Sequence, residues 1–132
     1  MSRVRYLDSQ WLAAIEAVVA SHERLQILAA DVDVGVTQVV TGTPHGEVTY
    51  HLQVADGRAR IGAGPANPEH VRLTERWETA VAVATGAVNP QEPFLNGDIA
   101  FAGDHERLIR ASELFAEMDA AFESVRARTD FS

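Results

Sequence analysis

Apolar residues recur at three- and four-residue steps through Trp11, Ile15, Val18 (with Val19), His22 and Leu25, while Glu16, Glu23 and Arg24 fall off that line. This is the period of one helix face. Asp8 or Ser9, just ahead of it, can accept hydrogen bonds from the free amides of a first turn. The spacing predicts a helix from about residue 9 to residue 28. The period then drops to two: Val32, Val34, Val36 and Val40 alternate with Asp33, Gly35, Thr37 and Val39. Thr43-Pro44-His45-Gly46 marks a tight connection. Beyond it, Val48, Tyr50, Leu52 and Val54 face one way, and Glu47, Thr49, His51 and Gln53 the other. Asp56-Gly57 is a two-residue hairpin signal. Arg58 to Ile61 resumes the alternation, Gly62 to Pro68 breaks it, and His70 to Thr74 restores it. One apolar and one polar face describe an antiparallel sheet wet on one side. Helices are then needed to cover the other.

Thr74 or Glu75 opens a second helical segment, Trp77 to Thr85, which Gly86 can close in a left-handed conformation. Asn89-Pro90 suits the start of a short helix carrying Phe94 and Leu95. Asn96-Gly97 turns the chain into a last strand, Asp98 to Ala102, and Gly103-Asp104 leads into a final helix. On that helix Leu108, Ala111, Phe115, Met118, Phe122 and Val125 form one stripe. No repeat, low-complexity tract or linker interrupts the pattern. The expected architecture is α+β: a mostly antiparallel sheet with helices on one face, the whole of residues 1–132 forming a single domain.

Composition narrows the functions such a domain can serve. The chain has 132 residues, 46% of them hydrophobic, enough for one sizeable core. It has no cysteine, which removes disulfides and thiolate chemistry. Against 19 acidic residues stand 11 basic ones, all arginine and scattered, for a net charge of −8. Nucleic acid is not an expected partner, because counterion release needs clustered positive charge. No stretch approaches the roughly 20 apolar residues of a membrane span, so stable membrane insertion is not expected. With no signal-peptide pattern at the start, the chain reads as cytoplasmic.

The segment from Glu75 to Leu108 resembles the signature of the sterol carrier protein type 2 family. The residues that carry the resemblance are Ala84-Thr85-Gly86-Ala87-Val88-Asn89-Pro90-Gln91, then Phe94-Leu95-Asn96-Gly97, then Phe101-Ala102-Gly103-Asp104. Upstream, the leading helix, the Gly46 turn and the Asp56-Gly57 hairpin are also similar, so the likeness covers nearly the whole chain. Pro93 departs from it, standing where the family usually has a small residue. The resemblance implies a five-stranded sheet with helices on one face and an apolar tunnel between them. It implies a carrier for sterols, fatty acids, acyl-CoAs or similar lipids, working without covalent chemistry or cofactor.

Candidate ligand contacts follow from this layout. Phe94, Leu95, Phe101, Phe115, Met118 and Phe122 converge if the last helix packs over the last strand, with Trp77 and Val81 on the opposite wall. Large apolar side chains with an adaptable methionine suit a lipid pocket, and equally an ordinary core. His51 and His70 share the polar sheet face, but nothing supplies a third metal ligand. Ser9, Ser21, Ser112 and Ser124 lie on helices rather than in a nucleophile elbow, and Glu113 and Glu117 read as solvating charge. No catalytic machinery is legible. The leading expectation is therefore a non-catalytic lipid carrier with its ligand under the C-terminal helix. Its rival is an interaction or dimerisation module with a filled core, and a weaker one is an enzyme or accessory acting on a bound lipid.

Overall fold

The computed structural model describes residues 3–88 and 91–131. In chain order the first half comprises β1 (Val4–Arg5), α1 (Ser9–Ser21), α2 (Glu23–Ala29), β2 (Val34–Thr43), β3 (Gly46–Ala55) and β4 (Arg58–Ala63). The second half comprises β5 (Val71–Arg76), α3 (Trp77–Ala84), α4 (Gln91–Asn96), β6 (Ile99–Gly103), α5 (His105–Arg110), α6 (Ser112–Arg126) and β7 (Thr129–Asp130). Five strands form a sheet in the order β4-β3-β2-β5-β6. Neighbours are antiparallel except β2 and β5, which run parallel with Val36 beside Val71. A separate two-residue parallel ladder, β1 with β7, ties the two ends of the chain together.

The parallel pair requires a crossover, and its path changes one sequence expectation. The connection from β4 to β5 runs over the outward face of the sheet, against β2. There the Ala66 N–H donates to the Thr37 hydroxyl at 3.0 Å, and Thr37 is fully buried. His70 brackets Gly35, its N–H donating to the Gly35 carbonyl (2.8 Å) and its Nδ1 accepting from the Gly35 amide (2.9 Å). A side chain at Gly35 would place its Cβ 1.9 Å from the Pro68 carbonyl oxygen, so the approach needs glycine. The outward face is thus wet only at its flanks.

Two expected helices are each broken in two. The first ends at Ser21, because His22 turns extended (φ −81°, ψ 101°) and its Nδ1 accepts from the Leu25 amide at 3.2 Å. One histidine both stops α1 and caps α2. The last breaks at Ala111 between α5 and α6. The caps themselves stand where their side chains suggest. Asp8 accepts from the Trp11 amide at 2.8 Å, and Asp104 from the Arg107 amide at 3.2 Å. Asp56 and Gly57 both take positive φ (53° and 78°), as a tight hairpin with right-handed strand twist requires.

The inward sheet face, carrying Val34, Val36, Val40, Leu52, Val54, Ala59, Ile61, Val71 and Leu73, joins Ile15, Val19, Leu25 and Leu114 from the helices in one core. Helices α1 and α2 pack on β4, and α3 packs on β2 and β5. Gln26 on α2 also locks the edge strand. Its Nε2 donates to the Ala59 carbonyl (3.1 Å) and its Oε1 accepts from the Ala59 amide (2.9 Å). Helix α6 makes its main packing contacts with α1 and α2 rather than with the strands. It therefore stands off the sheet.

Candidate functional site: a cavity between the sheet and the last helix

Because α6 is held by other helices, space remains beneath it. A cavity of about 1170 Å3 lies between the inward sheet face and α1, α3, α5 and α6. Its floor includes Val36, Leu52, Ile61 and Leu73; α1 supplies Trp11 and Ile15, and α3 supplies Ala80, Val83 and Ala84. Ile109 on α5 also lines it yet is 58% exposed, which puts that residue at the mouth.

Helix α6 turns two adjacent rows to two different neighbours. Leu114, Met118, Ala121 and Val125 are buried in the helix packing. Phe115 and Phe122, only half-buried, line the cavity with Met118. The rows differ by about 100° of helix rotation per residue, so one apolar stripe read from sequence merges a core row with a cavity row. Phe101 on β6 completes this side, and His105 packs edge-on against it with ring centroids 5.3 Å apart. Phe101, Phe115, Met118 and Phe122 are thus brought together. Trp77 and Val81 are not among the lining residues, because α3 turns Ala80, Val83 and Ala84 inward. Trp77 instead packs on Tyr6 at 5.5 Å, and Val81 lies against the core. Phe94 and Leu95 lie in α4, but their side chains fall outside the described residues.

An aromatic cluster walls off one part of the space. Tyr6 meets Trp11 (5.1 Å, edge-on) and Phe131 (4.9 Å), and Trp11 meets Tyr50 (5.6 Å, edge-on). Such pairs contribute about 0.5–1.5 kcal/mol each beyond the area they bury. Leu7, in the same segment, holds an unusual positive φ of 68° and is buried.

Three polar residues interrupt the apolar floor: Gln38 on β2, Tyr50 on β3 and Glu75 on β5. Tyr50 is the direct partner of Gln38 across the ladder. Gln38 also pairs with Leu73, which sets Glu75 two positions farther along β5 on the same face, opposite Val40. The Gln38 Oε1 is buried and has no hydrogen-bond partner among the described residues. Burial pushes the Glu75 carboxyl up to about 7 and raises the Tyr50 hydroxyl well above its usual range, with the Glu75 charge adding to the rise at Tyr50. Tyr6 is raised by burial first, then by Tyr50 and Glu75. The sequence held a signal for this patch, since Gln38 occupies an inward slot between Val36 and Val40.

The histidines of the sheet are engaged elsewhere: His51 Nδ1 donates to the Gly64 carbonyl at 3.0 Å, and His70 holds Gly35. Among the described residues no three His, Cys, Asp or Glu side chains group as a metal site would require. No described helix is long and apolar enough to cross a membrane.

A mixed five-stranded sheet with helices on one face and an apolar cavity between the layers defines the class of sterol-carrier-like α+β domains. The chain belongs to the SCP-2 sterol transfer family, whose model matches residues 15–116. Among solved structures it is similar to a conserved hypothetical protein of Thermus thermophilus, described as possibly a sterol carrier protein. That match has a TM-score of 0.72 at 16% identity, covering 95% of this chain and 92% of the other. A sterol carrier protein 2 crystal structure matches with a TM-score of 0.71 at 16% identity, over 89% of this chain and 96% of that one. The sterol carrier protein domain 2 of Helicoverpa armigera gives 0.63 at 18% identity, over 91% and 96%. These likenesses concern the fold. No curated protein matches the sequence.

Proposed function

We propose that this protein, as a single domain over residues 1–132, binds and carries an apolar or amphipathic lipid in the cavity beneath α6 and releases it chemically unchanged. The observation that carries this reading is the cavity itself, about 1170 Å3 and walled mainly by aliphatic and aromatic side chains. Ordinary ligand pockets measure roughly 300–1000 Å3, so the space suits a sterol or a long acyl chain. Membership of a sterol transfer family supports the same class of cargo. Affinity would come chiefly from apolar area removed from water, at about 25 cal/mol per Å2. Phe94 and Leu95 are proposed ligand contacts alongside Phe101, Phe115, Met118 and Phe122, with Trp77 and Val81 supporting the wall from behind. We place its work in the cytoplasm, with lipid as the partner. The interaction-module alternative has less to rest on, because it requires a filled core where the described residues leave a half-open cavity.

Titration with a fluorescent fatty-acyl probe tests this. Saturable binding is expected in the wild type. It should be lost in Phe115→Arg, which sets a charge against apolar cargo, and weakened at least tenfold in Ala84→Phe, which fills the space. Both variants must first show native circular dichroism. Undiminished binding in both, as folded proteins, would remove the cavity as the site. Absence of binding in lipid-free wild type would remove the carrier reading.

A further inference from the structure

We infer that the cavity selects amphiphiles whose head group is uncharged and donates hydrogen bonds, a hydroxyl above all. The head is held against Gln38, Tyr50 and Glu75, and ligands ending in a carboxylate are disfavoured. This rests on the lipid-carrier reading and specifies its ligand class.

The geometry makes the three side chains one receptor. Residues directly opposite across strands have Cβ atoms about 5 Å apart, and diagonal neighbours lie about 7–8 Å apart. Tyr50 lies directly opposite Gln38 on one neighbouring strand, and Glu75 lies diagonally from Gln38 on the other, on a face otherwise apolar. They can therefore converge on one small head group. The Gln38 Oε1 is a buried acceptor that no described residue satisfies, and a hydrocarbon tail cannot satisfy it either. A ligand hydroxyl can donate to that oxygen or to Glu75, and can accept from the Tyr50 hydroxyl.

The charges surrounding the patch argue against a carboxylate. From β3 comes Tyr50, and from the segment after β1 comes Tyr6, both held neutral by burial. Helix α3 presents only Ala80, Val83 and Ala84, while Val40 and Ile99 flank Glu75 in the ladder. Elsewhere in the lining stand His105 on α5 and, on α6, Arg126 and Asp119, the guanidinium bound to that carboxylate at 3.1 Å. Among the described lining residues Arg126 is the one arginine, and its charge is already met by Asp119. A ligand carboxylate there would meet Glu75, and two carboxyl groups in one site cannot both ionise cheaply. Since Glu75 loses its proton near pH 7, that repulsion grows as the pH rises through neutrality.

Calorimetric titration of dodecan-1-ol and dodecanoate into the lipid-free protein at pH 6 and pH 8.5 tests this. Wild type, Glu75→Gln and Gln38→Leu are compared, each checked for native circular dichroism. The wild type should prefer the alcohol by roughly tenfold at pH 8.5, and dodecanoate binding should weaken several-fold between the two pH values. Glu75→Gln should flatten that pH dependence and narrow the preference, while Gln38→Leu should weaken the alcohol about fivefold. Equal affinities for the two ligands, unchanged in Glu75→Gln, would put the head elsewhere in the cavity, away from Gln38, Tyr50 and Glu75, and overturn the inference while leaving a lipid carrier. A pH dependence that persists in Glu75→Gln belongs to another group and overturns it too. If neither ligand binds any of the three proteins, the carrier reading falls with it.

Discussion

Glu75 is a carboxylic acid on an apolar sheet face, with no described side chain donating to it, and its proton is the least costly way to keep it there. Burial raises it from 4.5 to about 7. The folded protein therefore holds a proton that the unfolded chain has already released over that interval. The contribution to stability is fully present below about pH 4.5 and is lost as the pH rises to about 7. Thermal unfolding of wild type and Glu75→Gln from pH 4.5 to 7.5 should show the variant gaining on the wild type as pH rises. A difference independent of pH would mean that Glu75 titrates as it does in water. Neither Glu75 nor Gln38 emerged from the sequence as a site residue. Thr74-Glu75 reads naturally as the start of a helix, and in the structure Glu75 is the penultimate residue of β5. Gln38 stood in plain view, a polar residue in an inward slot, and only its position over a cavity gives it meaning.

Elements show the same division between local and long-range causes. The caps at Asp8 and Asp104, the Asp56-Gly57 hairpin and the end of α3 before Gly86 stand where the sequence places them, because each depends on atoms within a few residues. The breaks at His22 and Ala111 do not show in the periodicity, since the apolar stripe continues through both. Helix α5 differs from its neighbours in having no buried residue, although Arg107 and Asp104 form an ion pair at 3.3 Å. With little apolar burial to hold it, α5 should open at low cost. In hydrogen exchange its amides should be protected at least tenfold less than those around Leu114 to Val125 in α6. Equal protection would show that α5 opens only with the whole domain.

For the molecule as a whole, an unfilled cavity is a cost that a ligand removes. Residues around an empty apolar space forgo packing contacts, and cargo that binds only the folded state stabilises it by mass action. At a free ligand concentration of 100 times Kd, this amounts to about 2.7 kcal/mol. A domain of this size should then melt several degrees higher with dodecan-1-ol than without it. An unchanged Tm at concentrations that saturate binding would locate the ligand on a surface present in the unfolded chain as well. Residue order alone was enough for the α+β class, a sheet covered by helices and an apolar last segment, and the family resemblance it carries implied the five strands. Periodicity, caps and hairpin chemistry act over a handful of neighbouring residues, so they can be read along the chain. Folding in space settled the rest: the crossover that buries Thr37, the two rows of α6, and the gap those packings leave over Gln38, Tyr50 and Glu75. These features depend on where α1 and α2 hold α6 relative to a sheet assembled from distant strands, and no local pattern carries that distance.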